Sequence, residues 1–308
     1  MKRRNFIKTV PSISLLSTSS TSLLSVSSFF NLPISCSSYD WLTFLRRDGK
    51  TWGKEVDEDI KLFAESGLTS IEPNLDSVQM ARSLIVALKK YKIQLPSIYV
   101  NSLLHKPEEV QASITKVLQI AEAVKSYGTK IIVTNPSPIA WGGNQNKSDQ
   151  ELKGQAIALD QLGAKLKSLG LKLAYHTHDM EMKAGAREFH HMMQNTSPDH
   201  VAFCFDVHWI YRGSENSSLA VFDVLKMYGH RIAELHLRQS DQGVWKEVFT
   251  PEGDIEYNKF AAELKRRNIN PHLVIEQCIE EKSPNTIHAV EAHKFDLMQV
   301  KKLFDRNL

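Results

Sequence analysis

The chain has 308 residues, 42% of them hydrophobic and 24% charged, enough to bury a full core and too balanced for a disordered segment anywhere from position 40 onward. Its formal charge of +3 rests on Lys2, Arg3, Arg4 and Lys8, so the remainder is close to neutral, and its Lys and Arg alternate with Asp and Glu. That argues against nucleic acid as the main partner, because a phosphate-reading face usually needs one sign to dominate.

The first residues read as an address. MKRRNFIKTV is basic, and the Ser-, Leu- and Phe-rich stretch after it runs to NLPISCSS, the order of an export signal. RRNFIK resembles a twin-arginine signal, with Phe6 and Lys8 following Arg3 and Arg4, and the serine-interrupted apolar stretch is too polar for a permanent span. Residues 1–37 are therefore expected as a leader that engages the export machinery and takes the protein to the periplasm or outside the cell. LPISC also resembles a lipoprotein processing site at Cys36. The three cysteines, Cys36, Cys204 and Cys278, contain no CxxC pair, which speaks against a disulfide framework and a structural zinc site; Cys204 and Cys278 sit in apolar runs as small buried residues.

From Tyr39 the chain alternates short apolar runs with longer amphipathic ones. YDWLTF (39–44) reads as a first strand, followed by a helix in GKEVDEDIKLFAESG that Gly67 ends. LTSIEP, QLPSIYVN and TKIIVTNP read as strands two to four, each with its helix: SVQMARSLIVALKKY, PEEVQASITKVLQIAEAVKSYG and DQELKGQAIALDQLGAKLKSLG. LKLAYHTH and HVAFCFDVHW are strands five and six, with AGAREFHHMMQN and SLAVFDVLKMYG after them. RIAELHLRQ and HLVIEQ are seven and eight, with EYNKFAAELKRRN and the final AVEAHKFDLMQVKKLFD. Eight strand and helix pairs fit an α/β fold of the TIM (β/α)8 type, one domain over 38–308, with 134–147 and 238–253 as rim loops. No GxGxxG follows a strand, so a dinucleotide fold has no support.

Such a barrel carries its chemistry at the C-terminal strand ends. There the chain places Glu72, His176 with His178, Asp206 with His208, His236 and Glu276, groups that are costly to bury unless paired or bound. The simplest account is one divalent metal, Mn, Zn, Co or Fe, held by His176, Asp206, His236 and Glu276, with His178 or Glu181 as substitutes for His176. Glu72, Trp141, Trp209, Arg212, Arg238 and Lys246 are candidates to line a sugar pocket, the tryptophans by packing on C–H faces. His190 and His191 read as packing or surface groups.

With FCFDVHW, ELHLRQ and VIEQ in view, the chain resembles the xylose isomerase-like TIM-barrel superfamily of sugar phosphate isomerases and epimerases, its exported bacterial branch especially, over about 39–305. The resemblance implies one divalent metal on a Glu, Asp, His, Glu set, of which Asp206, His236 and Glu276 match the last three. At the first position this chain has YHTHDMEM, similar to a YHNHDFEF form, and Trp209 stands where the epimerases carry a histidine. The expected activity is proton abstraction next to a carbonyl of a sugar, an isomerase or epimerase type, with Glu276 or Glu181 as base and His178 or His208 returning the proton. The missing strand-five glutamate favours a one-base isomerase, a dehydratase or a lyase acting on a keto-sugar, an inosose or a 3-keto-glycoside. A non-catalytic exported sugar-binding protein is the alternative of another class, and a homo-oligomer is open.

Overall fold

The computed structural model describes residues 31–305, so most of the expected leader lies outside the described residues. Among these, eight parallel strands form a nearly closed barrel: β1 Ser35–Ser37, β2 Ile71–Glu72, β3 Ser97–Tyr99, β4 Ile131–Thr134, β5 Lys172–His176, β6 Val201–Asp206, β7 Ile232–Leu237 and, after a rim hairpin (β8 Ser240–Asp241, β9 Val244–Trp245), β10 His272–Ile275. The ladder runs β2-β1-β10-β7-β6-β5-β4-β3. Isolated parallel bridges, Ser70 to Gln94 and Asn74 to Tyr99, join its two ends. Strands such as VAFCFD are buried along their whole length because the barrel covers one face and helices the other.

The helices are α1 Ser38–Arg47, α2 Val56–Glu65, α3 Val78–Tyr91, α4 Pro107–Lys125, α5 Asp149–Ser168, α6 Lys183–Asn195, α7 Val207–Gly213, α8 Ser218–Tyr228, α9 Tyr257–Arg266 and α10 Ala289–Leu303. No helix among the described residues is long and apolar enough to cross a membrane. Half of these helices start on a side-chain cap: Ser148 and Glu151 form a reciprocal capping box on α5, and Ser37, Ser77, Asp206 and Ser217 cap α1, α3, α7 and α8.

The first strand is where the fold departs from the sequence reading. YDWLTF is not a strand; it lies in α1, whose buried Trp41, Phe44 and Leu45 follow helical spacing. The Ser37 side chain accepts from the Tyr39 backbone N–H, and Arg46 and Arg47 occupy the last turn, where cations suit the helix dipole. The strand is the three-residue SCS before it, paired with β10 on one side and β2 on the other and thus inside the segment expected as leader. Cys36 is its fully buried centre, so a lipid on this thiol would require β1 to leave the sheet.

Register sets which side chains point inward. Asp206 pairs with His236; His176 pairs with Cys204, one inward step below Asp206; and His236 pairs with Val274, one inward step below Glu276. The slant of a sheared barrel thus brings residues of four adjacent strands to one height.

Candidate active site

His176, Asp206, His236 and Glu276 converge with donor atoms within 4.8 Å of one another, all four buried. His176 Nε2 faces Asp206 Oδ2 at 3.5 Å, and His236 Nδ1 faces Glu276 Oε2 at 3.2 Å. His176 Nε2 and Asp206 Oδ2 are shut off from solvent without a hydrogen-bond partner. Asp206, His176 and His236 each have a contact behind the donor atom. Asp206 is the N-cap of α7, its Oδ1 accepting from the Trp209 backbone N–H at 2.8 Å, which leaves Oδ2 for the centre. His176 Nδ1 lies 3.5 Å from the Tyr99 hydroxyl.

His236 Nε2 points down the barrel to Glu72 Oε1 at 3.0 Å and Glu234 Oε1 at 3.4 Å. Glu72 is therefore an interior group whose other oxygen accepts from Ser97, not a pocket wall for substrate. Below it, Glu234 Oε2 meets His272 Nδ1 at 2.6 Å, and His272 Nε2 reaches Ser35 Oγ at 3.0 Å. This polar stem replaces the apolar layers that usually fill a barrel. Glu234 escaped the sequence reading, although it lies two residues before His236 and so on the same face of the strand.

The electrostatics favour a cation at the top of this stem. Burial opposes charge on His236, but Cys204, Glu72 and Glu276 outweigh it and raise its pKa well above the ordinary imidazole value. Burial likewise disfavours charge on Glu276, yet His236 and Arg238 hold its carboxyl down at about 2. Burial, with Glu234 beside it, pushes Glu72 up to about 8. His176, mainly through burial, falls to about 3 and is neutral at ordinary pH, as a metal-ligating imidazole must be.

The remaining candidates divide. His178, in the loop after β5, packs against His176 (ring centroids 4.8 Å), Trp141 (5.0 Å) and Trp209 (5.5 Å), and burial lowers it to about 4. Its Nδ1 has no hydrogen-bond partner. Glu181, expected as base or ligand, is not among the converging donors: its carboxylate accepts from the His178 backbone N–H at 2.7 Å and from Asn135 Nδ2 at 3.0 Å, and so holds the loop that carries His178. Gly213 lets α7 close on that loop, since a Cβ there would fall 2.7 Å from Met182 Cβ. His208 is not on strand six; β6 ends at Asp206, and His208 lies in the first turn of α7, its Nε2 3.0 Å from Ser240 Oγ, which donates to Asp254.

Arg238 is buried between Trp245 (guanidinium 4.2 Å from the ring centroid) and Trp209 (5.2 Å), with Nη2 3.0 Å from Glu276 Oε2 and Nη1 unpaired. Trp245 reaches it on the β8–β9 hairpin, whose turn Gln242-Gly243 has φ of 51° and 79°, the left-handed pair that a two-residue hairpin turn demands. Arg212 is engaged by Glu280 at 3.2 Å and lies over the Trp245 ring; Lys246 is tied to Thr250 and the Glu252 carbonyl. Both hold the rim, which accounts for their charge without substrate. Trp141 is 56% exposed on its loop.

Residues 60–295 match the family described as xylose isomerase-like TIM barrel. The chain is 27% identical over 201 residues to an inosose dehydratase of Clostridium perfringens, a match that spans 56% of this chain and 66% of that relative. It superposes on the D-allulose 3-epimerase of a Methylomonas species, solved with D-allulose, at a TM-score of 0.63 and 13% identity, covering 90% of this chain and 97% of the other. It superposes similarly on the 3-keto-D-glucoside 4-epimerase of E. coli, at 0.62 and 15%, covering 88% and 99%.

Proposed function

The chain belongs to the xylose isomerase-like TIM barrel family, and we propose that it is a divalent-metal-dependent enzyme that removes a proton next to the carbonyl of a sugar or cyclitol and expels a neighbouring hydroxyl as water. The observation that carries this reading is the pairing of the four-donor centre with one unpartnered imidazole, His178, packed on His176.

The residues fit a metal on their own terms. Two imidazole nitrogens and two carboxylates suit a borderline divalent cation, two of the buried donors lack any other partner, and the surrounding carboxylates favour positive charge. Such an ion, when bound, polarises a substrate carbonyl and lowers the barrier to removing the adjacent proton.

The rest falls to the chain. His178 is neutral at ordinary pH and takes the carbon-bound proton, with Glu181 fixing its loop. Glu276 is a poor base, since His236 and Arg238 keep it ionised down to about pH 2. Arg238, with one unpaired donor held between two indoles, steadies the developing oxyanion. The imidazolium of His178 then gives its proton to the departing hydroxide, which leaves as water, so one residue serves both steps.

Inverting a carbon would need a second group on the opposite face, and His176 stands where the epimerases carry a glutamate. Dehydration is therefore favoured over epimerisation, in keeping with the inosose dehydratase among the relatives. The twin-arginine-like start supports work outside the cytoplasm, where free cyclitols, sugars and glycosides are the substrates at hand.

The test is a proton NMR screen of inososes, 3-keto-glycosides and ketoses in heavy water. Dehydration predicts loss of one C–H with formation of an unsaturated or dicarbonyl product. A clean change of configuration at one carbon would establish epimerisation instead, and binding without exchange or turnover would leave a sugar-binding protein.

A further inference from the structure

On the outer side of the barrel wall, between β1 and the helices that cover it, a second set of ligand-type side chains meets, and we propose that Cys36, Asp40 and His293 form a closed structural site for a zinc-class cation. Their donor atoms lie within 4.8 Å of one another, and all three residues are wholly buried.

The fold builds this group deliberately. Ser35 turns into the barrel toward Ser70 and His272, so its neighbour Cys36 turns outward. Asp40 stands four residues on, in the first turn of α1, and Cys36 Sγ donates to its Oδ2 at 3.3 Å. His293 comes from α10, its ring 4.6 Å from Trp41. Two further observations point to a ligand. Asp40 Oδ1 and His293 Nε2 are buried without a hydrogen-bond partner. His293 Nδ1 is meanwhile 3.3 Å from Asp296 Oδ2, and Asp296 Oδ1 accepts from the Phe249 backbone N–H at 2.6 Å. A carboxylate anchored in this way behind an imidazole is the arrangement that fixes the ring of a metal-ligating histidine.

Charge selects the ion. The three ligands, a thiolate, a carboxylate and a neutral imidazole, balance the two charges of a dication, and the buried Asp296 carboxylate behind His293 adds a further negative charge that favours a cation here. A mixed S, O and N set suits Zn(II) or Co(II), with the second oxygen of Asp40 available to complete four-coordination, and binding expels the thiol proton. The consequence is mechanical: the ion clips β1, a three-residue strand at the start of the barrel, to the helix that ends it. Because Cys36 and His293 stand at opposite ends of the sequence, no ligand-spacing motif announces the site.

The protein, produced in minimal medium with Co(II) as the added transition metal, tests this. The expected result is a thiolate-to-cobalt charge-transfer band in the near ultraviolet and a sulfur neighbour at about 2.3 Å by X-ray absorption. Cys36→Ser should abolish both and lower the metal content by one ion per chain, leaving the ion of the His176, Asp206, His236, Glu276 centre, which has no sulfur. A wild-type protein without band or sulfur neighbour overturns the proposal, and this reading does not depend on the variant folding. A band that survives Cys36→Ser and disappears in Cys204→Ser also overturns it, because the thiolate would then lie inside the barrel.

Discussion

Glu72 Oε1 lies 3.0 Å from His236 Nε2, beneath the four converging donors and out of reach of solvent. With Glu234 Oε1 at 3.4 Å on the same nitrogen, Nε2 faces two carboxyl groups and Nδ1 is left to face Glu276. Carboxylates behind metal-bound histidines tune affinity by about 10–100-fold. Glu72→Gln, which keeps the shape and one acceptor oxygen, is expected to weaken the ion by about that factor with the fold intact; competition against a calibrated chelator measures it, and unchanged affinity would reduce Glu72 to a packing group.

His178→Gln separates binding from proton transfer. The variant should keep its metal and its Tm, because His178 is only partly buried and is not one of the four donors. Its kcat should fall by about 10²–10⁴-fold with a much smaller change in KM, the range expected for loss of a general base. Retained turnover would move the proton-transfer role to another group.

In the metal-free protein, His176 and His178 each withdraw stability as pH falls through a defined window. His176 falls to about 3 and His178 to about 4 in the folded chain, chiefly through burial, against an ordinary value of 6.5 when unfolded. Below pH 6.5 the unfolded chain binds protons that the folded one refuses, so the stability these groups allow is present above 6.5 and is lost as pH falls toward 4 and then 3. His236 and Glu72, whose values are raised in the folded chain, act in the opposite sense, so the check is differential: the urea midpoint of His178→Gln relative to wild type should be higher at pH 5 than at pH 7.5, and an equal offset at the two pH values would contradict a depressed His178.

The leader makes its own prediction. If Arg3 and Arg4 direct export, replacing both with lysine should retain the protein in the cytoplasm, read by fractionation of the native host. Unchanged distribution would remove the twin-arginine reading while leaving the barrel chemistry untouched.

Much of this architecture is legible in the sequence because buried parallel strands are continuous apolar runs that end abruptly in a charged or imidazole group. Asp206, His236 and Glu276 stand out for that reason, and the register brings them together with His176. What fails is local. SCS is too short and polar to announce a strand, while YDWLTF alternates well enough to imitate one until the Ser37 cap and the Trp41, Phe44 and Leu45 spacing are weighed. His208 reads as part of strand six because nothing in FDVHW shows that Asp206 doubles as a helix cap. Glu234, Tyr99 and Asn135 go unnoticed because their importance lies in what stands behind a ligand or a loop, which only the folded chain reveals.

The most direct test of the account is metal content and C–H exchange in wild type and in Asp206→Asn, a change that preserves the Oδ1 cap on Trp209 and alters only the oxygen facing His176. The account predicts that the variant folds, holds one divalent ion fewer per chain and no longer exchanges the proton next to a substrate carbonyl in heavy water. Equal metal content in the two proteins, or exchange that persists in the variant, would contradict it.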